Sequence, residues 1–101
     1  MIESRASGDV AAVWMETSGG GNVDACNAMS RRSADGGATW AAPIRVSDAI
    51  SGAAYKDAAG FDEIYRDYGE IAFTNAGKAS AIWGEGFSYT GPGGAWVNRE
   101  N

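Results

Sequence analysis

The chain has 101 residues, enough for one modest hydrophobic core, and a formal net charge of −5. This acidic balance offers no basic surface to phosphate groups, so nucleic acid and membranes are not expected as partners. The absence of His excludes His-dependent general-base catalysis and His-ligated zinc.

Short apolar runs bounded by Gly, Asn, Asp or Lys predict β-strands along the chain. In chain order they cover residues 10–15, 24–32, 39–46, 70–74, 79–83 and 95–100, with a weaker one near Ile2. The run at 10–15 is apolar on both faces, which predicts a strand between two layers. Cys26 is the only cysteine, so no internal disulfide can form, and a buried strand thiol is expected.

An internal repeat relates the two halves of the chain. The segment GDVAAVWME at residues 8–16 matches GKASAIWGE at residues 77–85, which places Gly8 on Gly77 at an offset of 69 residues. Both segments share the pattern G-x-x-x-A-[VI]-W-x-E. The chain is therefore interpreted as strands a, b, c and d followed by a second a, b and c, which predicts six or seven antiparallel strands.

The segment SADGGATW, residues 33–40, lies between predicted strands c and d. The side-chain oxygens of Ser33 and Asp35 are expected to accept hydrogen bonds from backbone N–H groups of the turn, and Gly36 and Gly37 to adopt positive φ. Thr39 is expected to begin strand d, and Trp40 to insert its ring between neighbouring sheets. The segment is thus predicted to be a hairpin held by its own side chains.

The pattern S-x-D-x-G-x-T-W resembles the Asp-box, or bacterial neuraminidase repeat, of sialidase-like β-propellers. The resemblance implies an all-β fold of antiparallel four-stranded blades, with about one and three-quarter blades in this chain. It implies a single domain or partial propeller with a first blade at 1–46, an inter-blade loop at 47–67 and an incomplete second blade at 68–101. The motif is structural in that family, so Ser33, Asp35, Gly37, Thr39 and Trp40 are interpreted as architectural.

The face opposite the Asp-box is the predicted binding face. In a four-stranded antiparallel blade the a–b and c–d turns share one face, and the resemblance places function on the other, at residues 17–22, 47–67 and 85–94. Aromatic rings stack on sugars and charged groups bind hydroxyls and acids, so weak glycan binding there is one interpretation of these loops. The tentative ligand-binding residues are Tyr55, Asp62, Tyr65, Arg66, Asp67, Tyr68 and Glu85. The alternative is a solvated acidic loop anchored by one or two Tyr side chains.

A sialidase would, by the same resemblance, require an arginine cluster, a Tyr nucleophile activated by a Glu, and an Asp acid/base. These residue types are present as Tyr65 or Tyr68, Glu63 or Glu85, Asp62 or Asp67, and Arg66. None of these positions matches a catalytic motif of the family, so no catalytic residue is assigned and catalysis by this chain alone is not expected. No cofactor or metal is expected, because the acidic residues of the loop lack EF-hand spacing for Ca²⁺.

Three functions remain open: a non-catalytic sialidase-like propeller module that is structural or weakly carbohydrate-binding, a fragment of a sialidase or other glycoside hydrolase, and a stand-alone module whose copies assemble. About two blades cannot close a ring, so a homo-oligomer is expected, with a trimer favoured and a monomeric two-sheet sandwich as the alternative. In an unclosed pair, Trp14 and Trp83 are expected to line uncovered faces. No signal-peptide pattern is visible, whereas the resemblance implies a secreted or extracytoplasmic parent.

Overall fold

The computed structural model describes residues 1–17, 26–47, 56–57, 60–61, 69–86 and 93–100. Over these residues the chain is all-β, and every strand pair is antiparallel, as predicted. The described residues include no helix long and apolar enough to cross a membrane.

Two sheets carry the fold. The first sheet has the order β1-β2-β3-β4 and consists of Ile2–Ser4, Val10–Thr17, Cys26–Ser33 and Ile44–Arg45. The second sheet has the order β7-β8-β9 and consists of Glu70–Phe73, Ala79–Gly86 and Gly93–Arg99. Between them, β5 at Lys56–Asp57 pairs with β6 at Gly60–Phe61. This short hairpin lies in the segment for which no strand was predicted.

The fourth strand is much shorter than the predicted 39–46, because β4 contains only Ile44–Arg45. Thr39 does not begin it, since the Thr39 backbone N–H donates to the Asp35 carboxylate instead of to a neighbouring strand. Pro43 directly precedes the strand and has no N–H to donate. The described residues form nine strands rather than six or seven, because β5 and β6 are added.

The 69-residue repeat is present in the strand pairing. Ile2 pairs with Ala12 across β1 and β2, and Ile71 pairs with Ala81 across β7 and β8, at the same offset. The connecting turns match as well, since Gly8 and Gly77 adopt φ of +89° and +78° and each donates its N–H to the carbonyl three residues earlier. The two a–b hairpins therefore have the same backbone design.

The core forms where one face of the first sheet packs on one face of the second. The first sheet contributes Ala11, Val13 and Ala28, and the second contributes Ile71, Ala79, Ala81 and Trp83. Trp83 is only 3% exposed, so the expectation that it lines an uncovered face was wrong. Its ring is covered because the first sheet packs on that side. Its repeat equivalent Trp14 is half-buried on the opposite face of the first sheet. Cys26 is buried in β3, as predicted.

Candidate functional site

The turn between β3 and β4 is built around the hydroxyl of Ser33, which is the last residue of β3 and is buried. Ser33 Oγ accepts the backbone N–H of Gly37 at 2.9 Å and, more weakly, that of Asp35 at 3.3 Å. The same hydroxyl donates to Asp35 Oδ1 at 2.7 Å. A hydroxyl suits this position because it accepts and donates at the same time. The prediction that Ser33 satisfies N–H groups of the turn is confirmed.

Asp35 completes the turn by binding Thr39 with both carboxylate oxygens. Oδ1 accepts the Thr39 backbone N–H at 2.8 Å, and Oδ2 accepts the Thr39 hydroxyl at 2.5 Å. The Thr39 hydroxyl, then its backbone N–H, then the Ser33 hydroxyl lower the pKa of Asp35 from its ordinary 3.8 to about 2. The carboxylate is therefore ionised at neutral pH and already hydrogen-bonded on both oxygens. Such a group cannot serve as a general acid.

The glycines of the motif let the turn close and connect it to the next turn. Gly36 and Gly37 adopt φ of +72° and +95°, a region that side chains disfavour. The Gly36 N–H donates to the carbonyl of Gly8 at 2.8 Å. The β3–β4 turn therefore lies beside the β1–β2 turn, at the same end of the strands of the first sheet, as the strand order predicted.

Trp40 does not insert between the two described sheets, in contrast to the prediction. Its indole Nε1–H donates to the carbonyl of Gly37 at 2.9 Å, and the Arg31 guanidinium carbon lies 4.5 Å from the centroid of its ring. Arg31 pairs with Ala12, so it points to the face of the first sheet that carries Trp14. The Trp40 ring is held at this face, which the second sheet does not cover and which we call the open face of the first sheet, because the Arg31 cation attracts the π-face of the ring.

Arg32 joins the two sheets, a role that the sequence did not predict. Its guanidinium lies 3.2 Å from Asp9 Oδ1 and 2.8 Å from Glu100 Oε2, and it donates to the carbonyl of Gly77 at 3.4 Å. Its guanidinium carbon also lies 5.2 Å from the centroid of the Phe73 ring. We name these five residues the Arg32 cluster. The sequence signal for this role is the alternation of side chains along β3, which places the cation of Arg32 on the same face as buried Ala28.

Most of the predicted ligand-binding residues fall outside the described residues. These are Tyr55, Asp62, Tyr65, Arg66, Asp67 and Tyr68. Glu85 is described, and it lies within β8 opposite Gly94 rather than in a loop, because β8 and β9 extend to Gly86 and Gly93. This position is close to the end of the hairpin opposite the turn that contains Gly77. The structure therefore brings together Ser33, Asp35, Gly37, Thr39 and Trp40 in one turn and leaves the glycan-binding prediction untested.

A small cavity of about 200 Å³ opens between the outer strands of the two sheets. Polar residues at its lining are Ser30, Arg45, Asn98, Arg99 and Glu100. This volume is below the roughly 300 to 1,000 Å³ of typical small-molecule sites. Asn98 also uses its side-chain amide to bind the Val46 carbonyl at 2.7 Å. The cavity is thus a gap in the packing of the sheets rather than a formed ligand site.

The polar side chains of the 33–40 turn form hydrogen bonds with one another and with the backbone of the turn. Within the described ranges, no three His, Cys, Asp or Glu residues are grouped as metal ligands would be. The carboxylate of Asp35, whose pKa is lowered, is already bound by hydrogen bonds of its own turn. Comparisons with protein-family models, with curated proteins and with solved structures found no match to this chain.

Proposed function

We propose that this chain is a non-catalytic module of the sialidase-like, Asp-box β-propeller type, with a structural or weakly carbohydrate-binding role. The observation that carries the proposal is the way in which the two repeats pack. The face that the second sheet contributes to the core is not the repeat equivalent of the face that the first sheet contributes. The two repeats are therefore stacked in the same orientation, like successive copies in a row, and do not pack with equivalent faces together. Stacking of this kind continues from one repeat to the next, as blades of a propeller do.

The face assignment follows from register. Alternate residues of a strand point to opposite faces, and directly paired residues point to the same face. Trp14 and Val13 are neighbours in β2 and lie on opposite faces, and only Val13 belongs to the core. Trp83 is the repeat equivalent of Trp14, yet it does belong to the core. The face of the second sheet that packs on the first sheet is therefore the repeat equivalent of the face that the first sheet leaves uncovered.

The Asp-box supports a structural role rather than catalysis. The polar atoms of Ser33 and Asp35 form hydrogen bonds inside the turn, and the lowered pKa of Asp35 keeps it anionic. The turn also lies at the end of the strands, next to Gly8. We therefore propose any glycan contact for the opposite end of the strands, the end at which β2 is connected to β3 and β8 to β9.

We assign the glycan contact to the 55–68 segment and Glu85. Tyr rings supply flat apolar surfaces for sugar faces, and Arg66 supplies a donor for acidic sugars. The expected contact is weak, of millimolar class. The assembled form is expected to be a homo-oligomer with a trimer favoured, because three copies would provide six sheets, the blade number of the family that the Asp-box resembles.

Two measurements on the same protein test this proposal. A fluorogenic sialoside is expected to remain unhydrolysed, and sialic acid or lactose titrated into ¹⁵N-labelled protein is expected to shift amides of residues 55–68 and Glu85. Arg66→Ala should reduce the response to sialic acid, whereas the control Arg45→Ala, which changes a cation of β4, should not. Hydrolysis that co-purifies with the protein would support the sialidase-fragment alternative. Shifts centred on residues 33–40 would contradict the assigned binding face.

A further inference from the structure

We propose that copies of this chain associate head to tail, with the open face of the first sheet of one copy packing on the open face of the second sheet of the next. This inference rests on the stacking of repeats in the proposed function and names the surfaces that would continue it. The partner is a second copy of this chain, because each open face has its counterpart in the contact already formed within the chain.

The two open faces carry exposed apolar side chains. The open face of the first sheet bears Ile2, which is 66% exposed, beside half-buried Trp14 and the ring of Trp40. The open face of the second sheet bears Ile82, which is 45% exposed, directly opposite exposed Val97. Apolar side chains that stand together on a sheet face mark a surface that packing would stabilise.

The internal core supplies the template for the contact. Ile71 and Val13 are 5% and 2% exposed and belong to the same core cluster. Their equivalents at the 69-residue offset are Ile2 for Ile71 and Ile82 for Val13. A second copy placed in the same relation as the second repeat would therefore bring Ile2 of one copy onto Ile82 of the other. The contact is heterologous, since it joins two different surfaces.

The polar part of the template is not repeated, which predicts a weaker contact than the internal one. Arg99 pairs with Ser80 as Arg32 pairs with Ala11, so Arg99 is the equivalent of Arg32. Lys78 stands at the position equivalent to Asp9, and Ser33 at the position equivalent to Glu100. Arg99 would therefore meet neither carboxylate, and association should be reversible and dependent on concentration.

Net charge sets the expected salt dependence. Each copy carries a formal charge of −5, so copies repel one another at low ionic strength. Salt screens this repulsion and leaves the apolar contact in place. Association is therefore expected to strengthen as NaCl is raised, which is the opposite of a contact held by ion pairs.

Sedimentation velocity over a concentration series tests the inference. The weight-average sedimentation coefficient of the wild type should rise with protein and NaCl concentration, and Ile82→Lys should weaken association by more than about tenfold. Ile44→Lys is the matched control, because Ile44 is also an exposed isoleucine but points to the other face of the first sheet. Melting curves for both variants establish that they are folded. A wild type that stays at 10.5 kDa throughout, or an Ile82→Lys variant that associates like wild type, would overturn the inference.

Cross-linking between two single variants tests the direction of the contact. Ile2→Cys and Ile82→Cys proteins treated with a short bis-maleimide should give a linked dimer when mixed and little when treated separately, with wild type as the control for buried Cys26. Efficient linking of Ile82→Cys to itself would instead indicate a symmetric contact and overturn the head-to-tail arrangement. A monomeric result would leave the glycan and sialoside measurements unaffected, so the two proposals can fail separately.

Discussion

Replacement of Ser33 by Ala tests whether the 33–40 turn stabilises the fold. Ser33 Oγ accepts the Gly37 N–H at 2.9 Å and donates to Asp35 at 2.7 Å, and the residue is buried. Alanine fills most of the same volume but provides neither an acceptor nor a donor. The Gly37 N–H then has no acceptor at this position, where water has limited access.

The expected cost follows from these bonds. Loss of the partner of a buried N–H group costs roughly 1 to 3 kcal/mol, and the bond of the Gly37 N–H is part-buried, so its loss should cost less than the upper limit. The bond from the Asp35 N–H is long at 3.3 Å and adds little. Asp35 itself is exposed and can bind water in place of the hydroxyl. We therefore expect Ser33→Ala to lower the free energy of unfolding by about 2 kcal/mol, which for a domain of this size lowers Tm by about 8 to 16 °C.

Urea unfolding followed by Trp fluorescence measures this change. Ser7→Ala is the matched control, because the Ser7 hydroxyl also donates to an Asp side chain, at 2.8 Å, but in an exposed turn. Its effect should stay within about 0.5 kcal/mol. A Ser33→Ala variant that is destabilised by no more than the control would refute the view that the turn is held by the buried hydroxyl.

Three further predictions concern acid stability, a glycine and the Arg32 cluster. The pKa of Asp35 in the folded protein, about 2, is below its ordinary 3.8, so the stabilising contribution of the carboxylate is present above about pH 5 and is lost as pH falls towards 2. The urea midpoints of wild type and Asp35→Asn should therefore converge as pH falls over this range. A difference in midpoint that stays constant with pH would contradict this linkage. Gly8→Ala should cost about 1 to 2 kcal/mol, since its φ is +89°, and unchanged stability would show that the turn adapts. A double-mutant cycle of Arg32→Met and Glu100→Gln should give a coupling of about 0.5 to 1 kcal/mol, because both side chains are partly solvated, and a coupling near zero would remove the pair from the forces that join the sheets.

The sequence predicted those features whose interactions are local. The hydrogen bonds of the 33–40 turn join residues two to four positions apart, so this segment specifies its own geometry. The a–b hairpins were likewise predictable, since a glycine at a fixed place in each repeat closes the turn. The order of strands in both sheets followed from these turns.

Features that depend on distant contacts were not predictable. The two carboxylate partners of Arg32 are 23 and 68 residues away in sequence, and no local pattern relates them. The burial of Trp83 depends on which face the first sheet covers, and periodicity alone cannot select it. The short β4 resulted from a local competition, because Thr39 could bind either Asp35 or a neighbouring strand. Of the predicted site residues, the structure describes those of the 33–40 turn and the strand position of Glu85.

The two repeats end their third strands with different chemistry, and this difference implies an order of stability. In the first sheet Ser33 lies opposite Val10 and begins a turn closed by local hydrogen bonds. At the equivalent place in the second sheet, the Glu100 carboxylate accepts the Ala79 N–H at 2.8 Å and also binds Arg32 of the first sheet at 2.8 Å.

The end of β9 is therefore held through the first sheet, whereas the end of β3 is held by its own turn. Glu100→Gln weakens the charge-assisted bonds at this end. We expect amide hydrogen exchange in β8 and β9 to become faster in this variant while exchange in β2 and β3 stays unchanged, because opening of the second sheet leaves the 33–40 turn intact. Equal acceleration in both sheets would instead mean that the repeats open as one cooperative unit and that the local turn gives the first sheet no independent stability.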